Sequence, residues 1–202
     1  MNEKIRDLYN QLYQDESYKD LKKFIWFIEK NIEIIEASDS VEKEEYVNVT
    51  KILADYGSAL YNAGYFTKAV PYLDKAISRI ENYSEFKNKD LLEEPLYETS
   101  IFNRGLTNYN LKKYKTAISD FKKLSDKFPE NDRYKNWYNG SVDHSLRTLE
   151  WIFFAAIFIC IIALYSLKHK DGIFYYISFG SLLTSLILSI SLTVYKKRLK
   201  IK

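Results

Sequence analysis

Few residues in this sequence could support covalent or metal chemistry. The two histidines, His144 and His169, have no clustered partners at ligand spacing, so no metal site is expected. The single cysteine, Cys160, lies in the middle of an apolar run, which excludes an intrachain disulfide or a Cys-based zinc site and reads as small packing. No glycine-rich phosphate loop, nucleophile elbow or paired-carboxylate motif occurs. The acidic runs "EKEEY" and "DLLEEP" read as solvated linker faces. Six glycines and strong helical periodicity leave few of the loops that usually hold catalytic groups. The expectation is a protein that is not an enzyme and uses no cofactor.

The chain has 202 residues and a net charge of +3, but that average hides a division. Residues 151–202 carry seven basic side chains against the single acid Asp171, which leaves residues 1–150 at a net −3. A nucleic-acid partner needs a basic face for its phosphates, and the acidic front domain does not provide one. The N-terminal "MNEKIRDLYNQLYQ" lacks the apolar core of a signal peptide, so the front domain is expected to stay on the side where it is made.

Two runs look built for lipid. Residues 151–167, "WIFFAAIFICIIALYSL", are uncharged over 17 positions, and residues 173–195, "IFYYISFGSLLTSLILSISLTVY", over 23. At ~1.5 Å per residue they reach about 25 and 35 Å as helices, against a hydrocarbon core of roughly 30 Å. The "KHKDG" of residues 168–172 is a short reversal, so two spans in an antiparallel hairpin are expected, with both chain ends on one side. The tail 196–202, "KKRLKIK", has five basic residues, and Arg133, Lys135 and Arg147 precede the first span, which predicts both termini cytoplasmic. The expected location is an integral, two-pass position in a bacterial cytoplasmic membrane. Ala156, Cys160 and Ala163 along the first span, and Ser181, Ser185 and Ser189 along the second, form small-residue stripes suited to close helix packing, within one chain or between chains.

The elements in front of the spans repeat. At a shift of 48, Ile5, Leu53 and Ile101 coincide, as do Tyr9, Gly57 and Gly105, and Tyr13, Tyr61 and Tyr109. Past a turn come Tyr18, Phe66 and Tyr114; Leu21, Ala69 and Ala117; Ile25, Leu73 and Phe121; and Ile28, Ala76 and Leu124. Apolar positions step by three or four on each side of the break, which predicts two amphipathic helices per segment. Gly57 against Ala69, and Gly105 against Ala117, is the expected close crossing within each pair. The sequences after the second helices, "WFIEKNIEIIEASDSVEKEEY" and "ISRIENYSEFKNKDLLEEPLY", read as a lengthened helix and a charged linker, with Pro95 opening the next element. Residues 131–150 read as a capping and connecting helix that runs into the first span, with a turn signal at Asn139-Gly140.

Gly105, Tyr109, Tyr114, Ala117, Phe121 and Pro129 resemble the pattern of the tetratricopeptide repeat (TPR) family, as do Gly57, Tyr61, Gly64, Phe66, Ala69, Leu73 and Ala76. Glu81 replaces the closing proline in the second segment, and the first segment is degenerate, with Tyr9 and Leu21 at positions for small residues. The resemblance implies about three TPR-like helix-turn-helix pairs over residues 1–130; with the capping helix and the two transmembrane helices that follow, the expected fold is all-α. It also implies a concave groove lined by the first helix of each pair, here by Lys51, Asp55, Ser58, Tyr61 and Asn62 and by Phe102, Asn103, Leu106 and Asn110. A family subclass clamps a C-terminal carboxylate, but Asp55, Thr99 and Asn103 depart from its residue types. The expected function is a membrane-anchored adaptor whose groove binds a protein or peptide, with a second copy of the chain as another occupant. The alternative is a membrane-complex subunit that assembles through its hairpin.

Overall fold

The computed structural model describes residues 3–14, 20–38, 42–83, 90–166 and 172–200. Tyr18, His169 and all of the 168–172 reversal except Gly172 fall outside them. The chain forms two compact units, residues 1–130 and residues 131–202.

The first unit is a succession of helices: α1 (Glu3–Gln14), α2 (Leu21–Glu36), α3 (Lys43–Asn62), α4 (Phe66–Asn82), α5 (Pro95–Asn110) and α6 (Tyr114–Lys127). The helices α3 and α4 pack together, as do α5 and α6, while α3 also touches α1 and α5. Three sets aligned by the 48-residue shift supply its core: Ile5, Leu53 and Ile101; Ile25, Leu73 and Phe121; Ile28, Ala76 and Leu124, all buried. Asp20 caps α2 by accepting from the amides of Lys22 and Lys23 at 3.0 and 3.2 Å. Pro95 begins α5, where its missing N–H costs nothing. Pro71 lies within α4, which continues through it.

The turns repeat in their hydrogen bonds as well. Gly64 has φ +82°, and Lys112, at the equivalent position, has φ +60°. In each turn an amide reaches back five residues, Tyr65 to the Leu60 carbonyl and Lys113 to the Asn108 carbonyl, both at 2.8 Å. This left-handed closure suits glycine. At Lys112 it places a Cβ against the following carbonyl, at a cost of roughly 1 kcal/mol. Lys112→Gly is therefore expected to raise stability by about 0.5–1 kcal/mol. A melting temperature that stays level or falls would refute the strain.

Two expectations change here. The nearest neighbour at each close crossing is not the alanine: a Cβ on Gly57 would lie 2.7 Å from Leu73 Cγ, and one on Gly105 would lie 2.7 Å from Phe121 Cε1. The glycines make room for the large side chain four residues beyond the buried Ala69 and Ala117. The run "EKEEY" is also no linker, because α3 begins at Lys43. Glu45 is buried and accepts from the Ser38 hydroxyl at 2.7 Å. In "DLLEEP", Asp90 caps a 3-10 turn, Leu91–Glu93, and Lys127 ties that turn to the end of α6 through Asp90 and Glu93.

The second unit is two long helices packed together, α7 (Asp132–Ser166) and α8 (Ile173–Leu199). Asn139 and Gly140 do not interrupt α7, so the connecting segment and the first apolar run are one helix. Both helices are long and apolar enough to cross a membrane. Within their apolar stretches the half-buried positions are Phe153, Ala156, Ile157, Cys160, Ala163 and Leu164 on α7, and Tyr175, Ser178, Leu182, Ser185, Ser189 and Leu192 on α8, while α7 is buried only ahead of its stretch, at Tyr134, Tyr138, Ser141 and Val142. Along α8 the half-buried positions recur at alternating intervals of three and four, the spacing of a left-handed helix pair. Ser181 is off this seam and exposed. A strict four-residue step rotates about 40° per interval, so a stripe that starts at Ser181 drifts across the helix face before it reaches Ser189.

Candidate functional site

A groove of about 490 Å³ opens in the first unit, between the end of α1, the start of α2 and one face of α3. Four expected residues, Lys51, Asp55, Ser58 and Asn62, line it together with Tyr13, Leu21, Phe24 and Ala59. On α3, Lys51, Asp55, Ser58 and Asn62 step by four, three and four residues, which sets them on one helix face.

The polar end of the groove is tightly organised. The Tyr13 hydroxyl donates to Asp55 Oδ2 at 2.5 Å, and Lys51 Nζ donates to the same oxygen at 2.8 Å. Lys51 Nζ also lies 3.7 Å from the centre of the Tyr13 ring, a cation–π contact. Burial pushes the Tyr13 phenol well above its ordinary pKa, and the Asp55 charge pushes it further, so it remains a donor. With Oδ2 taken twice, Asp55 Oδ1 has no partner among the described residues. Leu21 and Phe24 form an apolar wall beside it.

Ser58 links this face to the next helix. Its hydroxyl donates to the Ala54 carbonyl at 2.8 Å and accepts from Asn103 Nδ2 at 2.7 Å, which aligns α3 with α5. Asn103 therefore joins the expected set through Ser58. Four others do not line the groove. Phe102 and Leu106 are each only 5% exposed, with the Phe102 ring 5.8 Å from that of Phe121, so both are packing residues and not groove contacts. Tyr61 packs its ring on Phe66 at 5.7 Å, as Tyr109 does on Tyr114 at 5.5 Å. Asn110 is exposed and donates to the Leu106 carbonyl at 2.9 Å.

The sequence reading missed Tyr13, Leu21 and Phe24 as site residues. Tyr13 and Leu21 lie in the degenerate first segment, and the available signal was the alignment of Tyr13 with Tyr61 together with Leu21 standing where the other segments have alanine. The groove offers a free carboxylate oxygen, an amide, an ordered ammonium and an apolar wall. That set can hold a peptide backbone and one apolar side chain in place.

Of the six expected membrane-packing residues, Ala156, Cys160, Ala163, Ser185 and Ser189 lie on the α7–α8 seam, and Ser181 lies outside it. The described residues thus define an all-helical protein with a helical front unit and two helices able to cross a bilayer. No family model, curated protein or solved structure matches the chain.

Proposed function

We propose that this protein is a non-enzymatic, membrane-anchored adaptor. Its front unit, a TPR-like array of three helix pairs, binds a peptide or protein segment through the α1–α3 groove, while α7 and α8 hold it at the bilayer. The carrying observation is the groove itself, where Asp55 keeps one oxygen unpartnered beside the apolar wall of Leu21 and Phe24. The TPR reading draws support from the matching closures at Gly64 and Lys112 and from the paired rings at Tyr61–Phe66 and Tyr109–Tyr114. Cationic residues beyond the apolar stretches, Arg147 on α7 and Lys196, Lys197 and Arg198 on α8, favour a cytoplasmic position for both termini. Anchoring raises the effective concentration of the groove near membrane-bound partners without any new contact.

The test is a photo-crosslinking amino acid at Asn62 in the full chain, expressed in its membrane. A defined adduct is expected, weakened about tenfold or more by Asp55→Lys and reduced when residues 151–202 are removed. An adduct indifferent to Asp55→Lys would sink the groove as the binding site.

A second reading has its own observation. Gly180, Ser181 and Thr184 are exposed and lie outside the α8 seam, a small-residue surface that another membrane helix could approach closely. If Gly180→Leu and Ser181→Leu abolish complex formation while the groove variants do nothing, the hairpin is the functional element.

A further inference from the structure

We propose that a polar pocket between α7 and α8, at the level where their apolar stretches end, binds the phosphodiester headgroup of an anionic phospholipid. The inference rests on the reading of these helices as membrane spans.

The pocket has a volume of about 520 Å³ and is lined by Asp143, Arg147 and Glu150 from α7 and by Lys196, Lys197 and Lys200 from α8, among others. Glu150 directly precedes the first apolar run and Lys196 directly follows the second, so the pocket straddles the expected boundary of the hydrocarbon. Trp151 and Tyr195, 64% and 54% exposed, flank that boundary as interfacial aromatics do.

Its charges are arranged unequally. Lys196 Nζ lies 2.7 Å from Glu150 and 3.2 Å from Asp143, and Lys200 Nζ lies 2.8 Å from Asp143. These pairs neutralise both carboxylates and tie α8 to α7, as does the Tyr138 hydroxyl, which donates to the Leu199 carbonyl at 3.0 Å. Arg147 and Lys197, one from each helix, have no ion partner among the described residues. A concave site with two exposed cations that hold no ion pair, one of them a planar guanidinium fork, suits the paired oxygens of a phosphodiester. The exposed apolar side chains beyond it, such as Phe154 and Ile152, give the acyl chains a surface to lie along. Clustered cations beside a span attract anionic lipid, each contributing roughly fivefold near the surface.

The test uses the full chain in nanodiscs of phosphatidylcholine, alone or mixed with phosphatidylglycerol, and counts retained lipid by native mass spectrometry. Alkaline carbonate extraction of the expressing membranes is performed first. The chain is expected to resist extraction and to retain phosphatidylglycerol over phosphatidylcholine. Arg147→Ala with Lys197→Ala should cut that preference about tenfold or more, and Arg147→Lys with Lys197→Arg should restore it. Since neither residue holds an ion pair, these changes leave the α7–α8 pairing intact. Equal retention of the two lipids, or an unchanged preference in the alanine variant, overturns the lipid site while leaving the membrane reading in place. Displacement by millimolar inorganic phosphate identifies a free-anion site and overturns the lipid assignment. Release of the chain by carbonate overturns the membrane reading, and the lipid site with it.

Discussion

Replacing Arg104 with alanine is expected to destabilise the front unit by about 3–5 kcal/mol, an effect of the size seen when one partner of a buried ion pair is removed. Arg104 grips Asp120 with two parallel bonds, Nε to Oδ2 at 3.0 Å and Nη2 to Oδ1 at 2.6 Å, and reaches Asp74 with Nη1 at 2.9 Å. One side chain on α5 thus joins α6 and α4. The Asp120 side chain is 2% exposed, against 51% for Asp74. Burial works against the guanidinium charge, but the two carboxylates outweigh it and raise the Arg104 pKa, so the pair stays ionic.

Alanine at 104 leaves the Asp120 carboxylate buried without its two-bond partner, with only the more distant charge of Lys123 to favour it. Burial already pushes the Asp120 pKa up, and without Arg104 its main opposing partner is gone. A carboxyl whose folded pKa is raised is most favourable to the fold below its unfolded value, and that advantage is lost as the pH rises through the folded one. The variant should therefore recover stability on acidification towards about pH 4, where the free carboxyl protonates. Asp74→Ala removes only an exposed bond and should cost less than about 1 kcal/mol. Urea denaturation of the fragment 1–148, followed by circular dichroism, compares the two. Equal costs for Arg104→Ala and Asp74→Ala would refute the buried-pair account.

Phe121→Ala is expected to cost about 3–5 kcal/mol, because the ring is fully buried and fills the space left by Gly105. Gly105→Ala should cost about 1–2 kcal/mol despite alanine's better helix propensity, since the added methyl meets Phe121 Cε1 at 2.7 Å and Cζ at 2.9 Å. The ring cannot easily swing away, with Phe102 on one side at 5.8 Å. In the Phe121→Ala background the same methyl enters a cavity and gains the propensity, so Gly105→Ala becomes neutral or stabilising. The double-mutant cycle should then show a coupling of about 1–3 kcal/mol. Strict additivity would mean that the two residues do not share that space. The same geometry recurs at Gly57, where Leu73 approaches with its backbone amide as well, at 3.2 Å.

Much of the architecture was legible because helix periodicity is a local property. A step of three or four residues declares which face is apolar, whatever that face meets, and the 48-residue shift placed Ile5, Leu53 and Ile101 in the core. The groove was half legible. Lys51, Asp55, Ser58 and Asn62 share a face of one helix, so spacing alone could group them. Phe102 and Leu106 have the same kind of spacing on α5, yet they are buried, because burial depends on what packs against a face and spacing does not say that.

By itself the sequence determined the run of amphipathic helices, the glycine positions of close approach, the aromatic residues at the turns and the two long apolar stretches. Each follows from the chemistry of neighbouring residues within a few turns. Tertiary structure alone decided that Leu73 and Phe121 come nearest to the glycines, since crossing geometry sets which side chain meets a gap. It also decided that Arg104 spans to Asp74 and Asp120, that Glu45 goes inside, and that Tyr13 joins Asp55 across 42 residues of chain. Partners that distant are brought within bonding range by packing, and no local pattern in the chain records the meeting.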